Sequence, residues 1–297
     1  MYHNPVLLQK SVEGLNIIPK GNYVDVTFGG GGHSKAILQK LGDGKLIAFD
    51  QDADALKNSI DDERFVLVNH NFQFLKNFLR LHKLDKVDGI LADLGVSSHQ
   101  FDVPERGFSI RFDAPLDMRM NNNQPVKASD IVNTYSEEEL KRLFRDYGEI
   151  KNSRCFSRAI IETRELHPIN TTTELIECVQ KCFPQHKKNK FLAQVFQALR
   201  IEVNDEMQTL KSLLEQANEL LAPGGRLVVI SYHSLEDRLV KNFIKSGNFK
   251  GVVEKDFFGN PIVSFKQITR KPIIPDELEI ESNSRARSAK LRIAEKI

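Results

Sequence analysis

Four consecutive glycines, Gly29 to Gly32, follow the β-branched run Tyr23-Val24-Asp25-Val26-Thr27-Phe28 and lead into His33, Ser34 and the helical pattern of Ala36, Ile37, Leu38 and Leu41. Strand, glycine turn and helix start form a backbone cradle for a charged, nucleotide-like ligand. Glycine takes positive φ and lets a ligand approach the main chain. A helix start offers unpaired N–H groups to an anionic group. The next apolar run, Lys45-Leu46-Ile47-Ala48-Phe49, ends at Asp50, 19 residues after Gly31. An acid at that distance takes ribose hydroxyls. A later run, Val87 to Leu94, carries Asp93 near its end.

The pattern narrows the ligand. A dinucleotide fingerprint needs G-x-G-x-x-G. Counting from Gly29 gives Gly29, Gly31 and then Ser34, so the third glycine is missing. A pyrophosphate cofactor is disfavoured, and a glycine turn with a ribose carboxylate suits S-adenosylmethionine. A plain βα turn is the competing reading, disfavoured because four glycines cost backbone entropy that a simple turn does not need.

These residues require a sheet to hold them. Apolar runs at 23–28, 45–50, 65–69 and 87–94 alternate with amphipathic segments such as Asn71 to Leu81. That alternation predicts a parallel sheet covered on both faces, with ligands at the carboxyl ends of its strands. After Gly95 the pattern breaks. Residues 96–125 read as a polar loop, and Ser136 to Phe183 as helices, with capping boxes at Ser136–Glu139 and Thr171–Glu174. The amphipathic run Asp205 to Leu221, the turn Pro223-Gly224-Gly225 and the strand 226–231 resume the α/β pattern. Two further strands are expected at 251–254 and 262–266. The organisation is therefore α/β and doubly wound: a discontinuous domain of residues 1–105 and 205–297, interrupted by a helical domain of residues 106–204. An insertion at the ligand edge is a natural place for substrate recognition.

Bulk properties exclude several classes. The chain has 297 residues, 40% apolar, with 42 basic against 40 acidic side chains. A net charge of +2 announces no global nucleic-acid field, so any basic footprint is local. The three cysteines, Cys155, Cys178 and Cys182, fit no disulfide framework and point to a reducing cytosol. The start Met1-Tyr2-His3-Asn4-Pro5 lacks a signal-peptide pattern, and no run reaches membrane-spanning length. Cys178, Cys182 and His186 share a helical face, but structural zinc wants four ligands, so no metal is expected. Ser231, His233 and Asp237 lack the G-x-S-x-G of a hydrolase, and Ser234-x-x-Asp237 reads as a helix cap.

Several blocks together resemble one family: Thr27-Phe28-Gly29-Gly30-Gly31-Gly32-His33-Ser34, Asp93-Leu94-Gly95-Val96-Ser97-Ser98-His99-Gln100, Glu105-Arg106-Gly107-Phe108-Ser109, Pro115-Leu116-Asp117-Met118-Arg119-Met120, Phe196 to Asn204, Ser231 to Arg238 and Arg285 to Arg292. In this order they resemble the RsmH (MraW) family of ribosomal RNA small-subunit methyltransferases. The resemblance implies a class I, Rossmann-like, S-adenosylmethionine-dependent methyltransferase fold. It implies methylation of a cytosine N4 in the decoding centre of 16S rRNA, within the small ribosomal subunit, and a cytoplasmic location. A homodimer is left open. Carried over by motif, the cofactor contacts are Gly31, Gly32, His33, Asp50, Phe72, Asp93 and Gln100.

Chemistry gives these residues separate sense. Methyl transfer from a sulfonium is an in-line displacement, accelerated mostly by alignment. Cytosine N4 is a weak nucleophile because its lone pair is delocalised, and an acceptor on its N–H helps localise the pair and remove a proton. Asp93 holds the acid position for that role, although the Pro-Pro-aromatic sequence of many amino-methyltransferases is absent after it. RNA contacts are expected from Arg106, Arg111, Arg119 and Arg200 and from the terminal Arg285, Arg287 and Arg292. Lys187, Lys188 and Lys190 beside Phe191 add a basic and aromatic neighbourhood. The alternatives are a methyltransferase of DNA or a small amine, and a non-catalytic RNA-binding protein.

Overall fold

The computed structural model describes residues 5–297; residues 1–4, most of the start read above, lie outside them. The chain divides into two compact units, Met1–Gly95 with Met207–Ile297, and Val96–Glu206. The helical unit thus starts at Val96, before the expected 106, because Ser97 to Asp102 already fold as a capped helical turn and Val96 and Phe101 pack on its core.

The first unit is built on a sheet of seven strands: β1 (Asn22–Asp25), β2 (Lys45–Phe49), β3 (Phe65–Val68), β4 (Val87–Asp93), β5 (Leu221–Ser231), β6 (Phe265–Gln267) and β7 (Lys290–Lys296). Their order is β3-β2-β1-β4-β5-β7-β6. The first five are parallel, and β7 runs antiparallel to both β5 and β6. Successive residues of a strand point to opposite faces, which accounts for the continuous apolar runs. Val24, Ile47, Ile90 and Val229 join one core with Leu75, Leu213 and Phe243. Tyr23, Leu46, Leu91 and Val228 join the other with Val12, Leu15 and Ile37.

Two expectations about strands change. Residues 251–254 form no strand; only an isolated bridge, Lys255 to Pro261, links the arms of that segment, and 262–266 shrinks to β6. The terminal run forms β7, whose Leu291 and Ile293 belong to one core and Ala294 to the other. Its alternation is masked in the sequence by cations at Lys290, Arg292 and Lys296.

The helical unit has its own core, with Phe144, Phe156, Leu175, Val195 and Leu199 buried together. Phe156, Phe183 and Phe191 stack in pairs 5.6–6.1 Å apart. Its helices include Glu137–Asp146, Ser153–Arg164, Thr172–Val179 and Lys188–Asn204. Ser136 with Glu139 and Thr171 with Glu174 close both expected capping boxes, each cap worth about 1 kcal/mol. The cysteine reading is corrected. Cys155 and Cys182 are bonded, with Cα atoms 5.6 Å apart, while Cys178 is a buried free thiol. The bridge joins helix 153–164 to the turn after helix 172–179, a packing relation that the 27-residue separation conceals. It also removes Cys182 from any shared metal set with Cys178 and His186.

Candidate active site

The carboxyl edge of the sheet is held by a buried acid. Asp25 closes β1 with no exposure, and its carboxylate accepts from Ser34 Oγ at 2.7 Å and Thr27 N at 3.1 Å. Burial pushes its pKa up. Thr27 Oγ1 in turn accepts from the Asp93 amide at 2.7 Å. One cluster therefore fixes the end of β1, the start of helix Gly32–Leu38 and the end of β4. Gly29 and Gly31 take φ of 51° and 75°. A Cβ on Gly31 would lie 2.8 Å from the Phe28 ring, and one on Gly32 2.1 Å from Pro5. At Gly31 and Gly32 a side chain would run into the chain's own Phe28 and Pro5.

Asp50 extends from the end of β2 and ties that strand to the glycine turn. Its two oxygens accept from the Gly29 amide at 2.7 Å and the Asp52 amide at 2.9 Å. A carboxylate has about four lone-pair positions, so half remain for another donor. Burial pushes its pKa up to about 6, against the pull of those two amides. Asn71 donates to Gln51 at 2.8 Å, which sets Phe72 next to this strand end. Phe72 packs on the sheet core; Phe74 is exposed and meets His70 edge-on at 4.7 Å.

Asp93 ends β4 on the other side of β1. Burial is the main reason its pKa rises to about 6, with nearby His33 and the hydrogen bond from Tyr232 opposing the rise. Tyr232 donates its hydroxyl to Asp93 Oδ1 at 2.7 Å. That phenol is held well above its usual range by burial and by the carboxylate, so it remains a donor. His33 is kept neutral by burial, and its Nε2 lies 3.2 Å from the Val6 carbonyl. A carbonyl only accepts, so Nε2 carries the proton and Nδ1 presents a lone pair. Nδ1 lies 3.9 Å from Asp93 Oδ2. Two acceptors that close suit a donor or a cation between them.

Six of the seven expected cofactor residues thus lie in the α/β unit, at or next to the ends of β1, β2 and β4. Gln100 lies in the helical unit, buried, where it closes a capping box with Ser97. The arginines divide. Arg106 is buried and donates to the carbonyls of Arg119 and Met120 at 2.9 and 3.0 Å. Arg119 forks onto Asp117 at 2.7 and 2.8 Å, and Arg200 onto Glu206 at 2.7 and 2.9 Å. Arg292 is buried in β7 and forks onto Asp237 at 2.6 and 3.1 Å. Arg111 and Arg287 are exposed and Arg285 is half-buried.

The hydrolase alternative loses its parts: Asp237 holds Arg292, and His233 caps helix Ser234–Ser246 with Glu236, one residue earlier than the expected Ser234 cap. Asp25, Thr27, Ser34 and Tyr232 were given no role from the sequence. They stand inside the motif blocks, but Tyr232 is 139 residues from Asp93, and no spacing rule links them.

The comparisons agree along the full chain. The MraW methylase family model matches residues 1–297. Ribosomal RNA small subunit methyltransferase H of Flavobacterium johnsoniae is 63% identical over 297 residues, covering 100% of this chain and 98% of that protein. The protein of that name from Bacteroides thetaiotaomicron is 58% identical, covering 99% and 97%. Among solved structures, a putative methyltransferase from Streptococcus mutans in complex with SAH is 14% identical, with a TM-score of 0.44 over 98% of this chain and 97% of that chain. With a full-length family match and relatives this similar from end to end, the chain belongs to the MraW methylase family.

Proposed function

We propose that this protein methylates the exocyclic N4 of a cytidine in the decoding centre of 16S rRNA, using S-adenosylmethionine. The observation that carries the reading is the pair of carboxylates flanking β1, Asp50 and Asp93, both held near pKa 6 beside a left-handed glycine turn. An acceptor-rich edge of this kind fits a ligand with ribose hydroxyls and a cationic amino-acid end, and disfavours a pyrophosphate. When bound, S-adenosylmethionine supplies an electrophilic methyl group. Asp50 takes the ribose hydroxyls with its remaining lone pairs. Asp93 and His33 Nδ1 receive a donor, and Asp93 is the proton acceptor closest in type to what an aromatic amine needs. Tyr232 fixes the orientation of that carboxylate. Gly31, Gly32 and Phe72 complete the cofactor set on the α/β unit; for Gln100, on the helical unit, the cofactor role rests on the resemblance of the motif blocks alone.

The relatives' printed name, ribosomal RNA small subunit methyltransferase H, supports the RNA class; the N4 position and the decoding centre rest on the resemblance of the motif blocks. The helical unit serves as the substrate module, with Arg111 exposed on it; in the terminal run of the α/β unit, Arg287 is the exposed arginine among those expected to meet phosphates. Among the described residues no helix is long and apolar enough to cross a membrane; a cytoplasmic location rests on the resemblance of the motif blocks. The test is methyl transfer from labelled S-adenosylmethionine to small ribosomal subunits, naked 16S rRNA, DNA and small amines, followed by mass mapping of the modified nucleoside. N4-methylated cytidine in subunit RNA is expected; label only in DNA or a small amine rejects the reading. Replacing residues 106–204 by a short linker is expected to abolish RNA methylation while leaving cofactor binding measurable.

A further inference from the structure

The segment between helix Ser234–Ser246 and β6 leaves the sheet at its edge strand and ends in two bare aromatic rings. Phe257 is 97% exposed and Phe258 84%. Val252 and Ile262 on the same arms are exposed as well. This tip is built rather than slack. Asp256 Oδ1 accepts from the amides of Phe258 and Asn260 at 2.9 and 2.8 Å, and Oδ2 from Asn260 Nδ2 at 3.0 Å. The Asp256 amide donates to the Asn260 carbonyl at 2.9 Å, the Gly259 amide to the Asp256 carbonyl at 3.0 Å, and the Ile262 amide to the Glu254 carbonyl at 2.8 Å. The rings stand at 87° with centroids 5.5 Å apart, an edge-on arrangement that leaves ring face open to solvent. Clustered exposed aromatics mark a surface that a partner covers.

Charge identifies the partner. Residues 250–271 carry Lys250, Lys255, Lys266, Arg270 and Lys271 against Glu254 and Asp256, an excess of three (five minus two), whereas the whole chain has an excess of two (42 minus 40). That excess makes the segment locally basic. The Asp256 carboxylate is spent on the turn's own N–H groups, which hold its pKa down. Open π faces on a segment with an excess of cations match single-stranded RNA, whose bases stack on aromatics while its phosphates meet basic side chains. We propose that the Phe257–Phe258 tip is an RNA-docking element that stacks unpaired bases of the substrate. This rests on the RNA-methyltransferase reading and adds a second contact surface to it.

The chain contains no tryptophan, so Phe257→Trp places its one indole at the tip. Its emission should be quenched by a single-stranded oligouridylate and not by an abasic oligomer of equal length and charge. The double variant Phe257→Ala/Phe258→Ala should bind the oligouridylate at least about fivefold more weakly, raise KM for subunit RNA, and keep its affinity for S-adenosylmethionine. Equal quenching by both oligomers, or an unchanged Kd and KM in the double variant, overturns the proposal. So does an indole blue shift with phosphatidylglycerol vesicles in place of RNA quenching, or a loss of self-association in the double variant with RNA binding intact. The binding arm needs no methyl transfer, so it reads out even if the enzyme modifies another substrate. Methylation with an unaltered KM sinks the tip alone.

Discussion

The two acids at the strand ends of the α/β unit and the arginine-held acids of the helical unit are treated in opposite ways. In the α/β unit, neither Asp50 nor Asp93 forms an ion pair with lysine or arginine among the described residues, and burial lifts both to about 6. In the helical unit, Asp117 is gripped by Arg119 and held below its usual range despite its burial, and Glu206 is paired with Arg200. Compensated acids hold loops and helix ends in place. Uncompensated acids at strand ends retain the capacity to bind something else, and that capacity costs stability. The contrast supports the proposal that the chemistry sits at those strand ends.

The contrast breaks most visibly at Asp93. Asp93→Asn removes the acceptor charge and should lower kcat by about 100-fold or more in single-turnover transfer to small subunits. If kcat is retained, the proton acceptor lies elsewhere and Asp93 only orients the cofactor. Asp50→Ala should weaken S-adenosylmethionine binding by about 10- to 150-fold, the equivalent of about 1.5–3 kcal/mol for lost charge-assisted hydrogen bonds, as read by calorimetry. On the other side of the comparison, Arg200→Ala strands Glu206 in a site with little water and should destabilise the protein by about 3 kcal/mol, with cofactor affinity at the folded temperature unchanged. A fall in affinity comparable to that of Asp50→Ala would show that the compensated acids also serve the site.

A smaller effect follows from pH. Both carboxyls titrate near 6 in the free protein, above the ordinary aspartate value of about 3.9. Below pH 6 they are protonated, so cofactor affinity should decline about tenfold per unit for each carboxylate that binding requires. Folding stability moves the other way. The folded state binds these protons more tightly than the unfolded chain, so their contribution falls as pH rises from about 4 to 6. Calorimetry across about pH 5–8 and thermal melts across about pH 4–7 check both signs. The smallest change is expected from Tyr232→Phe. Losing its hydrogen bond lifts Asp93 further, so the acid limb of the pH–rate profile should move to higher pH with a few-fold loss in kcat. An unmoved limb would make the phenol a packing element.

What could be read in advance follows the same division. The glycine turn, Asp50 and Asp93 were legible because a strand, its terminal residue and the following turn are contiguous. The supports were not. Asp25 looked like one more residue of a strand, and Tyr232 reaches Asp93 only through the pairing of β4 with β5. Arg292 and its neighbours read as an exposed cationic end because nothing local reveals that Asp237, 55 residues away, neutralises one of them. The disulfide was hidden for the same reason, since helix packing decides which cysteines meet.

The sheet order has a consequence for how the protein is made. β4 pairs with β5, yet the whole of Val96–Glu206 is synthesised between them. While the nascent chain lengthens, the N-terminal strands wait with the far edge of β4 open, the kind of edge that recruits other strands. The intervening helices have a core of their own, so they can collapse before β5 is made. That collapse replaces a long floppy loop by a compact body and lowers the entropy lost when the two strands finally meet. Slowing translation within the helical segment should therefore cost yield through aggregation of half-made sheets rather than through loss of activity in the molecules that finish.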